Sequence, residues 1–180
     1  MKKTTFLFLF FYFFQVQAQE RLSTATGVVH FEASVPLFEE VKAINQAVNC
    51  SVELKTSEIN CTILIKQFQF KRDLMYTHFN DNYLESDRYP KATFIGRIDK
   101  FDYKLLSEEP TEHQIKGIIK IHGKSKPLIC KAFLKKVTKG MEINSSFVLN
   151  TDDFNIEIPS IVATKISKQV NTTLKVVIKD

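Results

Sequence analysis

From residue 27 to the C-terminus, apolar and polar side chains alternate with a period of two through most of the chain, and no other feature restricts the fold as much. Val29, Phe31 and Ala33 alternate with His30, Glu32 and Ser34; Phe94, Gly96 and Ile98 share one face, as do Ile115, Gly117, Ile119 and Ile121. Successive side chains of an extended chain point to opposite faces, so this pattern describes strands with one apolar side. Further runs of the same kind cover residues 52–70, with a turn near Thr56-Ser57, and residues 92–103, 114–121, 128–137, 141–149 and 165–179. Turns are expected over residues 123–126 and at Lys139-Gly140. The count is about eight strands at hairpin spacing, without βαβ alternation and without a Gly-rich phosphate loop, so the fold class is all-β and antiparallel. So many twisted strands must close or split into a sandwich to hide their edges, and closure into an eight-stranded barrel is expected. The apolar inward sets fit either a solid core or a lumen that holds one slender apolar guest.

Two stretches break the alternation. Residues 71–86 carry Leu74, Met75, His78, Phe79 and Tyr83 at helical spacing and predict a helix across one mouth. Residues 35–49 begin next to a proline and space Phe38, Val41, Ile44 and Ala47 by three, which predicts a short helix or an ordered loop. Asp152 and Asp153 before Phe154 fit a helix N-terminus. One or two short helices at the barrel ends complete the expectation.

The first eighteen residues read as an export signal. Lys2 and Lys3 precede the unbroken apolar run Phe6 to Phe14, and Val16-Gln17-Ala18 offers small residues for cleavage after Ala18. Nine apolar residues fall well short of the roughly 20 that span a bilayer, so a cleaved signal over residues 1–18 is expected, not a stable membrane span. Residues 19–180 then form one domain, in the periplasm or secreted. With both leader lysines gone, 23 basic residues stand against 20 acidic ones, a net of +3. Lys116, Lys120, Lys131 and Lys135 recur singly along strands, as solubilising groups do, and not in the cluster that nucleic acid would require. Of Cys50, Cys61 and Cys130, the first two could bridge across one hairpin or stay reduced.

A search for chemistry by residue type finds no catalytic cluster. His30, His78, His113 and His122 have no metal-ligand spacing among them, no Ser sits in a nucleophile elbow, and Glu108-Glu109 and Asp152-Asp153 fall in turns. No metal or cofactor is implied. His78, on the apolar face of the expected helix, reads as a core histidine with a hydrogen-bond partner.

Three segments carry a family resemblance. HFNDNYLESDRYPKATFIGRI (His78 to Ile98), GIIKIHGKSKPL (Gly117 to Leu128) and FVLNTDDFNIEIPSIVATKIS (Phe147 to Ser167) resemble, in order, the landmarks of the YceI-like proteins. The resemblance implies an exported lipocalin-like barrel, with helices at its ends and an internal tunnel for a polyisoprenoid lipid such as a polyprenol or quinone. Residues 35–49 depart from the extended strand pair usual in that family. Where the motifs match, Met75, Phe79, Tyr83 and Phe94, with Ile119 and Ile121, become candidate ligand-binding residues; alternation alone adds Phe68, Phe70 and Phe147. His78, Asn80, Glu85 and Asp87 are expected to tie the helix to the barrel, for instance through Arg88 or Arg97. The implied partner is an isoprenoid or other long-chain lipid, not nucleic acid, and a homodimer stays open. The alternatives are an enzyme acting on an apolar substrate and a solid-core envelope protein that serves in interaction or stress response.

Overall fold

A computed structural model describes residues 21–179, so the expected leader over residues 1–18 and its cleavage site lie outside the described part. The strands are β1 (Arg21–Ser34), β2 (Lys42–Glu53), β3 (Glu58–Leu64), the two-residue β4 (Gln69–Phe70), β5 (Lys91–Ile98), β6 (Thr111–Ile121), β7 (Lys124–Val137), β8 (Gly140–Asn150) and β9 (Ile166–Lys179). All pairings are antiparallel, and β1 pairs with both β2 and β9, which closes eight long strands into a barrel. β4 lies against the start of β2, past the end of β3. The expected all-β, eight-stranded lipocalin-like architecture is the one observed.

The connections divide the barrel into two unlike ends. At one end they are the turn between β2 and β3, the segment between β5 and β6, and the tight turn at Thr138-Lys139. The other end carries the hairpin loop 35–41, the long excursion 65–90, the His122-Gly123 turn and the strap 151–165. The long excursion contains α1 (Asp73–His78), followed by a five-residue π turn, Phe79–Tyr83. Short 3-10 turns at Thr151–Phe154 and Ser160–Val162 stiffen the strap, and Asn150 Oδ1 caps the first by accepting from Asp152 N–H. Asp152 and Asp153 do open a helical turn, as expected, and the helix of residues 71–86 is real but shorter and wider than an α-helix of that length. We call this the capped end.

Side chains fill the first end solidly. Leu22, Val52, Ile59, Ile98, Leu134, Met141, Ile143, Val176 and Ile178 are each at most 2% exposed. A small barrel can be filled by its own side chains, and here that happens over half its length.

The prediction for residues 35–49 is corrected: only 35–41 form a loop, and β2 runs from Lys42. A β-bulge produced the misleading spacing. Register shifts on either side of Gly27 set Val29 opposite Asn45 but Gly27 opposite Val48, so the inward parity moves from Ala43 and Asn45 to Val48, Cys50 and Val52. Asn45, fully buried, satisfies the irregular backbone: its Nδ2 donates to Leu64 O (3.0 Å) and its Oδ1 accepts from Ala47 N–H (2.9 Å). Cys50 and Cys61 face each other across β2 and β3 and are bridged, with Cα atoms 4.2 Å apart, which resolves the pairing left open by the sequence. The turn expected over residues 123–126 is tighter than read: His122 and Gly123 both have positive φ, and β7 begins at Lys124.

Asn45→Ala should leave a buried carbonyl and a buried amide unpaired. A loss of about 1–3 kcal/mol is expected, read as a lower urea midpoint at unchanged slope; an unchanged midpoint would show that the bulge does not need this side chain.

Candidate functional site

Towards the capped end the interior opens into a cavity of about 620 Å³, within the range of small-molecule sites. Its floor is Val29, Cys61, Ile115 and Ile143, where the solid half begins. The wall comes from strand parity: Phe31 and Ala33 on β1, Ile63 on β3, Ala92 and Phe94 on β5, Ile119 and Ile121 on β6, Leu128 and Cys130 on β7, Phe147 and Leu149 on β8, and Val170 and Leu174 on β9. The roof is Phe68, Phe70, Met75, Phe79, Tyr83 and Leu84 from the excursion, with Phe154, Ile156 and Ile158 from the strap.

Four phenyl rings bind roof to wall. Phe31 stacks on Phe79 with centroids 5.4 Å apart, and Phe68 and Phe70 meet Phe31 edge-on at 5.3 and 5.9 Å. Edge-on and offset pairs of this kind add to simple burial. The π turn presents these groups: Leu84 N–H bonds Phe79 O and Ser86 N–H bonds Asn80 O, a widening that sets Phe79 and Tyr83 on one face. Asn80, 4% exposed, locks the turn by donating to Tyr76 O at 2.9 Å.

Deep in the wall the few polar atoms are satisfied or uncharged. Ser145 Oγ donates to Lys131 O (2.8 Å) and Thr172 Oγ1 to Val170 O (3.4 Å). Burial pushes the Cys130 thiol above its ordinary pKa, with the neighbouring Ser145 hydroxyl opposing, and burial likewise raises Tyr83. Charge appears only where the cavity opens, between the hairpin loop, α1 and the strap, at Glu39, Arg72, His78 and Lys165. Arg72 Nε pairs with Glu39 Oε1 at 2.8 Å and ties the hairpin loop to the start of α1.

All nine candidate residues lie on this cavity: Phe68 and Ile119 buried, and Phe70, Met75, Phe79, Tyr83, Phe94, Ile121 and Phe147 half-buried. Phe31, Ile63, Leu128, Leu149 and Leu174 also line it and were missed, although the same alternation marks them. Ile156 and Ile158 sit on irregular backbone and had no periodic signal, and Phe38 carried only the spacing of three that suggested a helix. His78 is exposed at the opening and is not a core residue, because α1 turns that side outward. Of the expected anchors, Asn80 bonds within the helical turn, and Asp87 with Lys66 (2.5 Å) and Glu85 with Arg88 (3.6 Å) pair inside the excursion; the contact that reaches the barrel is Glu85 towards His122 (3.4 Å).

His122 does face a carboxylate, but not in the cavity. Its Nδ1 hydrogen-bonds the Phe154 carbonyl (3.0 Å), its Nε2 faces Glu85 Oε1 (3.4 Å), and its ring meets Tyr89 edge-on at 4.6 Å. Neither His122 nor Glu85 is among the lining residues, so the pair joins the excursion to the strap from outside. Among the described residues, no group of three or more His, Cys, Asp or Glu side chains could hold a metal ion, and no helix is long and apolar enough to cross a membrane.

The chain matches the YceI-like domain over residues 16–178. It belongs to the YceI-like family. Comparison with curated proteins returns no match. Among solved structures, this YceI-like barrel is similar to a polyisoprenoid binding domain from Saccharophagus degradans implicated in plant cell wall breakdown, at a TM-score of 0.78 and 14% identity, covering 90% of this chain and 99% of that one. It is also similar to Burkholderia cenocepacia BcnA (TM-score 0.70, 12% identity, 87% and 98% covered) and to a Campylobacter jejuni YceI protein (0.53, 16%, 100% of both). At these identities the likeness establishes the YceI-like fold.

The Phe94 side chain owes its place to two glycines. Gly96 and Gly117 are direct cross-strand partners, and a Cβ on Gly117 would come within 2.7 Å of Phe94 Cζ and 2.3 Å of Ile95 O. Gly117→Ala should therefore push both the Ile95–Gly96 backbone of β5 and the Phe94 ring out of place. The expected result is several-fold weaker binding of an apolar fluorescent dye, with about 1–3 kcal/mol of stability lost; titration and thermal melting separate the two effects.

Proposed function

We propose that this protein is an exported carrier that holds a long apolar lipid of the isoprenoid type, a polyprenol or a quinone, in the capped half of its barrel, and that it performs no chemistry on it. The observation that carries the reading is the cavity itself: apolar from wall to roof, blind at the solid end, and charged only where it opens. A blind apolar slot admits a chain tail first. The head group then stays at the opening, within reach of Arg72, His78 and Lys165. Each CH₂ removed from water contributes roughly 0.8 kcal/mol, so a tail of a few isoprene units supplies ample affinity, and the polar opening supplies what selectivity there is.

Family membership and the likeness to the polyisoprenoid binding domain from Saccharophagus degradans support the choice of cargo. The N-terminal pattern of basic residues, apolar run and small residues supports export to the periplasm or beyond. Phe68, Phe70, Met75, Phe79, Tyr83, Phe94, Ile119, Ile121 and Phe147 are the residues proposed to touch the tail. The absence of chemistry is inferred from the lining: the titratable groups on it are a thiol and a phenol held neutral in the wall and roof, and charged groups at the rim.

Ile119→Lys and Phe94→Lys place an ammonium inside the slot, where an unpaired charge is costly. Both variants should lose uptake of an added long-chain quinone while keeping the β-sheet circular dichroism of the parent. A folded variant that takes up quinone as the parent does would contradict the lumen as the binding site.

A further inference from the structure

Large aliphatic side chains stand in water around the opening of the cavity. Leu37 on the hairpin loop is 104% exposed, Ile161 on the strap 84% and Leu74 on α1 64%, with Phe38 at 46%. The three segments are neighbours. Arg72 at the foot of α1 pairs with Glu39 on the hairpin loop, Ser34 pairs with Ile166 just beyond the strap, and Phe38, Leu74 and Val162 all line the same cavity. Leu37 is doubly out of place, because its φ of +72° suits Gly or Asn and its exposure suits a polar group, yet the position carries Leu. On the strap, Ile158-Pro159-Ser160-Ile161-Val162-Ala163 offers a nearly continuous apolar edge. Exposed apolar groups collected at one place mark a contact surface.

We propose that this rim is a bilayer-docking surface: Leu37, Leu74 and Ile161 enter the apolar boundary of an electrically neutral phospholipid membrane and set the opening of the barrel against it. This rests on the carrier reading, since a tail passing directly from bilayer to lumen need never meet water. A bilayer fits the rim better than a protein does, because the apolar groups are separate convex tips around a hole and not a flat patch. The charges around it point to a neutral surface. Glu39 pairs with Arg72, Glu40 with Lys42 and Asp152 with Lys168, while Lys71 and Lys165 are balanced in number by Asp73 and Glu157. Docking is therefore driven by apolar burial and changes little with salt, unlike attachment through a basic patch.

The test is flotation of the exported protein with phosphatidylcholine vesicles, beside a Leu37→Asp/Ile161→Asp variant. Both side chains stand in water and neither lines the cavity, so the variant should melt with the parent. Burying one such side chain is worth roughly tenfold or more in partitioning, so the parent should float at low salt and at 0.5 M salt, where the screening length falls to about 4 Å, and the variant should not. Quinone uptake from ethanol, without vesicles, is measured alongside. Retained uptake with lost flotation is the expected result. Flotation that survives the substitutions or vanishes in salt overturns the docking surface, as does a dimer in sedimentation that the substitutions dissolve, which would assign the rim to a second copy. A parent that takes up quinone but never floats also overturns docking while leaving the carrier reading intact, and a parent that neither floats nor takes up quinone removes both.

Discussion

The structure depends on closure. β1 is hydrogen-bonded to β2 on one side and to β9 on the other, which closes the ring of eight long strands, while β7 and β8 pair over Lys131–Val137 and Gly140–Ser146 and part towards the capped end. Closing eight strands creates an interior about one side chain deep from every wall, which large residues can fill and smaller or retracted ones leave open. Both outcomes occur in this barrel. Ile59, Ile98, Leu134, Met141, Ile143 and Ile178 meet at the plain end and leave no space. At the capped end the inward positions include Ala33, Ala92, Cys130, Ser145 and Thr172, whose short side chains do not reach across.

The roof turns this unfilled half into a bounded cavity. Its attachments are of different kinds on its two sides. The phenyl cluster of Phe31, Phe68, Phe70 and Phe79 binds the excursion to β1 by apolar contact, and β4 pairs it with β2. On the far side the hold is polar, through His122 to the Phe154 carbonyl and towards Glu85. Between them only the Glu39–Arg72 ion pair crosses from hairpin loop to helix, and its side chains are about half exposed or more. Exposed pairs of that kind contribute at most about 1 kcal/mol, so the opening lies where the roof is most weakly held.

Most of the barrel was legible in the sequence because a strand states its inward face every second residue. That rule added Phe68, Phe70 and Phe147 to the candidates that the family resemblance supplied, and applied to β8 and β9 it would have added Leu149, Val170 and Leu174. It failed at the bulge, where one irregular step beside Gly27 reverses the parity of β2 and leaves a spacing that imitates a helix. It was silent on the strap, since 3-10 turns and extended segments have no period by which Phe154, Ile156 and Ile158 could be recognised as inward. The hollow itself was not legible, because filled and open barrels share one alternation of apolar and polar, and only the packing of particular side chains separates them.

The central claim is that the capped half of the barrel is occupied by an apolar chain in the living cell. Native mass spectrometry of the protein purified from the envelope or medium of its own host, followed by organic extraction of whatever adds to the bare mass, addresses it directly. The account predicts one lipid adduct per chain, of isoprenoid composition and lost in the Ile119→Lys variant. A bare mass that stays bare after incubation with long-chain quinone or polyprenol would contradict it.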